Sequence, residues 1–203
     1  MKRSVVRGVS FSLLSLLVAL QLALLPLSWL LAAWLPQSGI NSLLGGEGLR
    51  WLLGGWTSRL FTPLFGALLL LPVGAGAVVR SGLWGALRSV GALSYRDRVS
   101  LRLSVLSAVA VWLCFFLLGG TPSQMLGVTG GWWPSPFSRA LLPLAVFTLV
   151  AAAIAFGVTS GRIASQRQAY AALLWGLRRC CPLLLLYVIA RQLVESFRYV
   201  FLM

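Results

Sequence analysis

The sequence predicts an all-α integral membrane protein with about five transmembrane helices and short interfacial amphipathic helices. Apolar residues make up 59% of the chain, charged residues make up 10%, and the mean hydropathy is +0.92. These values are far from those of a soluble globular domain. Five helices of roughly 20 residues with their connections use nearly the whole chain. We therefore expect a single transmembrane domain over residues 1–203.

Five apolar runs define the expected spans. These are approximately residues 9–35, 61–79, 103–118, 140–158 and 182–203. The first run exceeds the roughly 7–15 apolar residues of a signal peptide, so we expect it to be retained, with a kink at Pro26. Pro182 is expected to open the last helix. The connection 119–139 is turn-rich, and its Trp132 and Trp133 suit headgroup depth.

A short amphipathic helix is expected between the first and second spans, at about residues 47–57. Trp51 and Trp56 are side chains that suit the membrane interface, and Glu47 precedes Arg50 by one helical turn. Glu47, Arg50 and Trp51 thus form an interfacial motif. A structural role for this motif is favoured over a binding role.

The basic residues predict the orientation of the chain. Seventeen basic residues stand against three acidic ones, for a formal net charge of +14. Twelve of them lie before the first span or in the second and fourth connections, and three lie in the first and third connections. The larger group is Lys2, Arg3, Arg7, Arg80, Arg88, Arg96, Arg98, Arg102, Arg162, Arg167, Arg178 and Arg179. This asymmetry predicts a bacterial inner-membrane protein with a cytoplasmic N-terminus and a periplasmic C-terminus, and it argues against nucleic-acid binding.

The residue types argue against catalysis. The chain has no histidine, so it cannot by itself form a Ser-His-Asp triad, a Cys-His pair or an ordinary zinc site. Lys2 is the only lysine, which excludes a phosphate-binding P-loop. The three cysteines, an odd number, do not suit a disulfide framework, and we assign them no reactive role. The adjacent pair of Cys180 and Cys181 could be acylated, and the third cysteine is Cys114. We expect no enzyme activity, no cofactor and no metal.

One group of charges lies in an apolar segment. Arg191, Glu195 and Arg198 have the spacing i, i+4 and i+7, which places them on one face of the last helix, beside Gln192. Charges at membrane depth are costly and mark functional sites by default. An ion-paired helix end and a surface that docks a partner chain are the alternatives. All of these interpretations keep the cluster away from lipid.

Three stretches of the sequence resemble the AbgT family of p-aminobenzoyl-glutamate transporters. GGEGLRWLLGG and FTPLFGALLLLPVGAGAVVRSGL are similar to the family's interfacial "GEGIRW" helix and the "PLG…GIGVAE.SGL" helix after it. FGVTSGRIASQRQ resembles "PGIAYGIGAGTIKSDRD", and WGLRRCCPLLLLYVIARQLVESF resembles "MSxMGxYIVLAFFAAQFIAYF". The first stretch aligns at Glu47, Gly48, Arg50, Trp51, Pro63, Leu64, Gly66, Gly74, Ser81 and Gly82.

The chain departs from the family pattern in ways that bear on function. Arg80 stands where the family has an acid, and LSYRDRVSLR resembles a linker that comes much later in family members. The segments that carry the two re-entrant hairpins have no counterpart. In transporters of this architecture, such hairpins hold substrate and coupling ion near the bilayer midplane.

The resemblance implies two alternative functions. The chain could be a reduced transporter of organic anions of the p-aminobenzoyl-glutamate type, with an oligomer supplying the missing walls and a coupling ion that the sequence does not identify. It could instead be a transport-inactive subunit that stabilises another membrane complex. Beyond the lipid bilayer, the expected partners are therefore further copies of the chain or the subunits of a larger complex.

Overall fold

The computed structural model describes residues 2–37, 39–89, 91, 94–118 and 135–202, without the side chains of residues 2–10 and of 136. Helices account for most of this part of the chain, and no strand occurs in it. The helices are α1 (Lys2–Trp34), α2 (Gly46–Gly54), α3 (Trp56–Leu60), α4 (Pro63–Ser81), α5 (Leu83–Arg88), α6 (Tyr95–Leu118), α7 (Pro136–Thr159) and α8 (Gln166–Leu202).

Five of these helices are long and apolar enough to cross a membrane. Their candidate spans are Phe11–Trp34, Pro63–Ser81, Tyr95–Leu118, Phe137–Thr159 and Gln166–Leu202. At 1.5 Å per residue, the 19-residue α4 is about 28 Å long, which matches the roughly 30 Å of a bilayer's hydrocarbon core. The chain is therefore an all-α, multi-pass membrane protein, as its composition and hydropathy predicted.

Three of the expected boundaries were wrong. The third span was expected to begin at about residue 103, but α6 begins at Tyr95, so three of the arginines assigned to the connection before it lie inside this helix. The last helix begins at Gln166, so Pro182 lies inside α8 instead of opening it. A membrane helix tolerates an internal proline where neighbouring groups compensate the lost backbone hydrogen bond. The expected interfacial helix is divided at Gly55 into α2 and α3. Most of the turn-rich connection after the third span, with Trp132 and Trp133, lies outside the described residues.

The chain divides into two compact units. Unit 1 comprises Met1–Gly66 and Cys181–Met203. Its core contains the buried side chains of Leu24, Leu43 and Val200. The backbone N–H of Leu43 donates to Ser28 Oγ at 3.1 Å, which fixes the segment after α1 against that helix.

Unit 2 comprises Ala67–Cys180. Its core is formed by small and apolar side chains, which are Ala77, Leu83, Ala86, Ala153 and Phe156. Helices α4 and α8 cross in this unit with their backbones in direct contact, because a Cβ atom at Gly176 would overlap the carbonyl of Pro72. A Cβ atom at Gly76 would lie 2.7 Å from the carbonyl oxygen of Ala172. Such close approaches between small residues are typical of membrane helix pairs.

Candidate functional site

The charged residues predicted on the last helix form an ion-paired cluster in unit 1. Arg191 Nη2 lies 2.7 Å from Glu195 Oε1, and Arg198 Nη1 lies 3.7 Å from the same oxygen. The contact of Arg191 lacks the alignment of a hydrogen bond and that of Arg198 is too long for one, so both are ion pairs. The Glu195 side chain is 11% exposed, whereas that of Arg198 is 58% exposed. One carboxylate is therefore shared by two guanidinium groups.

Arg59, the last basic residue before α4, also belongs to this cluster. Its Nη2 donates to the carbonyl oxygens of Trp51 and Leu52 at 2.7 and 3.1 Å, which caps the C-terminal end of α2. Its Cζ lies 3.7 Å from the centre of the Trp51 ring, a cation–π contact. That ring stacks on Tyr199 with centroids 4.4 Å apart. The stack connects the segment after α1 to α8.

The charges of the cluster do not balance. Arg191 Nε donates to the backbone carbonyl oxygen of Arg59 at 3.5 Å, so the main chain of Arg59 lies against the cluster. Burial lowers the pKa of the Arg59 guanidinium, and the negative charge of Glu195 partly opposes this by raising it. Arginine stays protonated in proteins, so three positive charges face one negative charge. This unit therefore carries a local positive excess.

Gln192 takes part in a polar contact between α1 and α8. Gln21 Nε2 donates to Ser196 Oγ at 3.0 Å, and Gln192 Nε2 approaches the same oxygen at 3.5 Å. Both glutamines line a cavity of about 160 Å³ whose remaining lining residues include Trp56 and Val188. The sequence analysis missed Gln21, although an amide side chain inside a long apolar run is a visible signal.

The interfacial motif is only partly joined to the cluster. Trp51 contacts Arg59 and Tyr199, as described above. Glu47 and Arg50 are exposed on α2, and no ion pair joins them in the described structure. Glu47 lies in the first turn of α2, where a negative charge complements the helix dipole.

A second set of arginine contacts ties together the helix ends of unit 2. Arg162 Nη1 donates to the carbonyl oxygen of Gly82 at 3.0 Å, and its Nη2 lies 3.6 Å from Asp97. Gly82 has φ +79°, and a side chain there would also collide with the Arg162 guanidinium. Arg96 Nε donates to the carbonyl oxygen of Thr159 at 3.4 Å. These contacts explain why arginines follow the spans without requiring a ligand.

Arg178 and Arg179 lie well inside α8, more than ten residues from either end. The sequence predicted them in the connection before the last helix, and this boundary was wrong. Gly176 contacts Pro72, which is the middle residue of α4, and the two arginines follow within about 5 Å along the helix. Both are exposed. A charge at such a depth costs roughly 2.5–3.5 kcal/mol on insertion scales.

Two apolar cavities also lie in unit 2, the first between α6 and α7 and the second among α4, α6, α7 and α8. One has a volume of about 600 Å³ and includes Cys114 and Phe115 in its lining. The other has about 550 Å³ and is lined by residues that include Phe115, Phe147 and Leu173. Their size suits a small ligand, but they lack the few convergent polar groups that orient one.

The described residues offer no other chemistry. They contain no group of three His, Cys, Asp or Glu side chains that could hold a metal ion, and the three cysteines are free thiols. No family model, no curated protein and no solved structure matches this chain. The AbgT resemblance therefore remains a prediction that rests on the quoted motifs.

Proposed function

We propose that this protein is a reduced transporter of organic anions of the p-aminobenzoyl-glutamate type and that it works as an oligomer. The observation that carries the proposal is the positive excess of unit 1, where Arg191 and Arg198 share the carboxylate of Glu195 and Arg59 lies within range of its charge. An exposed guanidinium binds a carboxylate in two-pronged geometry, and Arg198 has the exposed side chain that such binding needs. The quoted AbgT-like motifs are consistent with this substrate class.

The proposal includes an oligomer for a reason of size. Pockets for substrates of this size are about 300–1,000 Å³. The cavity that Gln21 and Gln192 line in unit 1 has only about 160 Å³. A neighbouring copy would supply the missing wall around Arg198. We also propose the bacterial inner membrane with a cytoplasmic N-terminus, because the basic residues outside the five candidate spans favour that orientation by five to two. The five are Lys2, Arg3, Arg7, Arg88 and Arg162, and the two are Arg50 and Arg59.

Flux into proteoliposomes tests the transport proposal. We expect uptake of p-aminobenzoyl-glutamate above protein-free vesicles and at least a tenfold loss in Arg198→Gln. Arg139→Gln is the matched control, since it removes an exposed arginine of unit 2 that lies outside the cluster. Uptake at the level of empty vesicles, while a family transporter is active in the same preparation, would refute the proposal.

A transport-inactive membrane subunit is the second candidate. It is favoured by the small volume of that cavity and by the exposure of α6, because only 6% of the apolar stretch of this helix is buried. Native mass spectrometry in nanodiscs distinguishes the candidates. A stable complex with a different membrane chain, together with absent flux, supports the subunit. A homo-oligomer or monomer with anion uptake contradicts it.

A further inference from the structure

We propose that Arg178 and Arg179 form an intramembrane docking point for a partner membrane helix that carries an aspartate or glutamate near its middle. The proposal concerns unit 2 and does not depend on the anion transport proposed above. The first observation is the depth of the two arginines in the membrane. Because α4 has the length and hydropathy of a complete span, its midpoint at Pro72 lies near the bilayer centre, and Gly176 contacts Pro72.

The two guanidinium groups have no compensating charge in the described chain. Arg179 makes a cation–π contact with the Trp175 ring of its own helix, with Cζ 4.4 Å from the centroid. The structure shows no hydrogen bond or ion pair from Arg178 or Arg179 to any described residue. By contrast, Arg162 of the same unit has both a carbonyl and a carboxylate partner. Intramembrane charges are normally paired, so an acidic group from outside the chain is needed.

A second copy of this chain is a poor source of that group. The chain has three acids, and two of them already serve as partners of arginines, Asp97 with Arg162 and Glu195 with Arg191 and Arg198. The third, Glu47, lies on the short helix α2, which cannot span a membrane. The partner is therefore a different membrane chain.

The position of the arginines favours a helix over a solute or a lipid headgroup. Arg178 and Arg179 are both exposed on α8, so their occupant approaches from the side of the unit. Successive residues of a helix point about 100° apart, and these long side chains can converge on one carboxylate between them. A phospholipid phosphate stays at headgroup depth, about half a bilayer away from the middle of α4.

Synthetic membrane helices test the docking point directly. The full-length protein, with a dye on a C-terminal tag, is reconstituted together with a labelled 23-residue Leu/Ala helix. The vesicles consist of phosphatidylcholine, a zwitterionic lipid without net charge. The helix carries one central Asp, Asn or Lys, and energy transfer reports binding. We expect the Asp helix to bind at least tenfold more tightly than the Asn helix. Arg178→Leu combined with Arg179→Leu should reduce that preference below threefold, and Arg139→Leu should leave it unchanged.

Charge reversal separates recognition from misfolding. Arg179→Glu should change the preference from the Asp helix to the Lys helix, a gain that a misfolded protein cannot produce. The proposal is overturned if the Asp helix has no advantage or if the advantage survives the double Leu variant. Loss of the advantage when phosphatidylglycerol is added would assign the site to a lipid headgroup and would also overturn it.

The native cysteines test the depth on which the inference rests. In a Cys114→Ser background, Cys180 and Cys181 follow the arginines directly and report their surroundings. We expect a membrane-impermeant maleimide to label them at least tenfold more slowly than a cysteine placed at Ser165, just before α8. Equal labelling rates would place the arginines at the membrane surface and contradict the proposal.

Discussion

Gly176→Ala adds a single methyl group, but it should strongly destabilise the crossing of α4 and α8. The added methyl group would overlap the carbonyl oxygen of Pro72 and would lie 3.0 Å from the backbone nitrogen of Gly76. Both atoms belong to the backbone, so no side-chain rotation relieves the overlap and the helices must move apart. Overpacking of this kind costs about 1–3 kcal/mol, and we expect the upper half of that range because backbone must move.

Gly66→Ala is the matched control, because it adds the same methyl group to α4 where no atom lies within 4 Å. It should change stability by less than about 0.5 kcal/mol, in the stabilising direction if the helix propensity of alanine prevails. Reversible unfolding in mixed micelles, followed by circular dichroism, measures both variants. At 1.4 kcal/mol per factor of ten, Gly176→Ala should shift the unfolding equilibrium roughly 20- to 150-fold. Equal stabilities of the two variants would refute the close crossing.

Three further substitutions test the polar contacts of the two units in the same assay. Arg162→Gln removes the bond to the Gly82 carbonyl and one ion pair, and we expect a loss of about 1 kcal/mol because the side chain is 42% exposed. Ser104→Ala loses a 2.9 Å bond to a carbonyl of α7, for which about 0.6 kcal/mol is expected. Glu195→Gln should cost about 1–2 kcal/mol and Arg198→Gln less than about 0.5 kcal/mol, since only the former leaves partly buried charges uncompensated.

Each of these variants has a control and a contradicting outcome. Arg167→Gln removes an exposed arginine of the same unit as Arg162 and should be neutral, so equal losses would show that the bond to Gly82 does not stabilise the unit. Ser107→Ala removes a hydroxyl that bonds within its own helix and is the control for Ser104. The order of the two cluster variants is decisive for Glu195, because a larger loss in Arg198→Gln would contradict the shared carboxylate.

The sequence was most informative where the structure depends on local geometry. Hydropathy located the five apolar helices, because a span needs only length and composition. The spacing of Arg191, Glu195 and Arg198 placed them on one helical face, because side chains three and four residues apart are neighbours on any α-helix. Neither inference required knowledge of how the helices pack.

Long-range contacts could not be predicted in the same way. Arg59 is 132 residues from Arg191, and their contact depends on how the chain returns to α8. The predicted start of the last helix was wrong for another reason. Arg178 and Arg179 interrupt the apolar pattern, so the hydropathy of the sequence predicted that the last helix begins after them. The backbone hydrogen bonds of α8 do not depend on side-chain polarity and continue through both residues. A hydropathy boundary marks a change in the polarity of the side chains, which need not be the end of a helix.

The contacts of the arginines also explain why the chain has a single lysine. Arg59 donates to two carbonyl oxygens at the end of α2, Arg162 to that of Gly82 and Arg191 to that of Arg59. Helix ends leave carbonyls without partners, and the planar guanidinium, with five N–H donors, can satisfy several at once. Many of the charges are thus committed to holding turns together. Arg178 and Arg179 have no such partner among the described residues, and they follow the contact of Gly176 with the middle of α4, so interaction with another molecule should be sought there first.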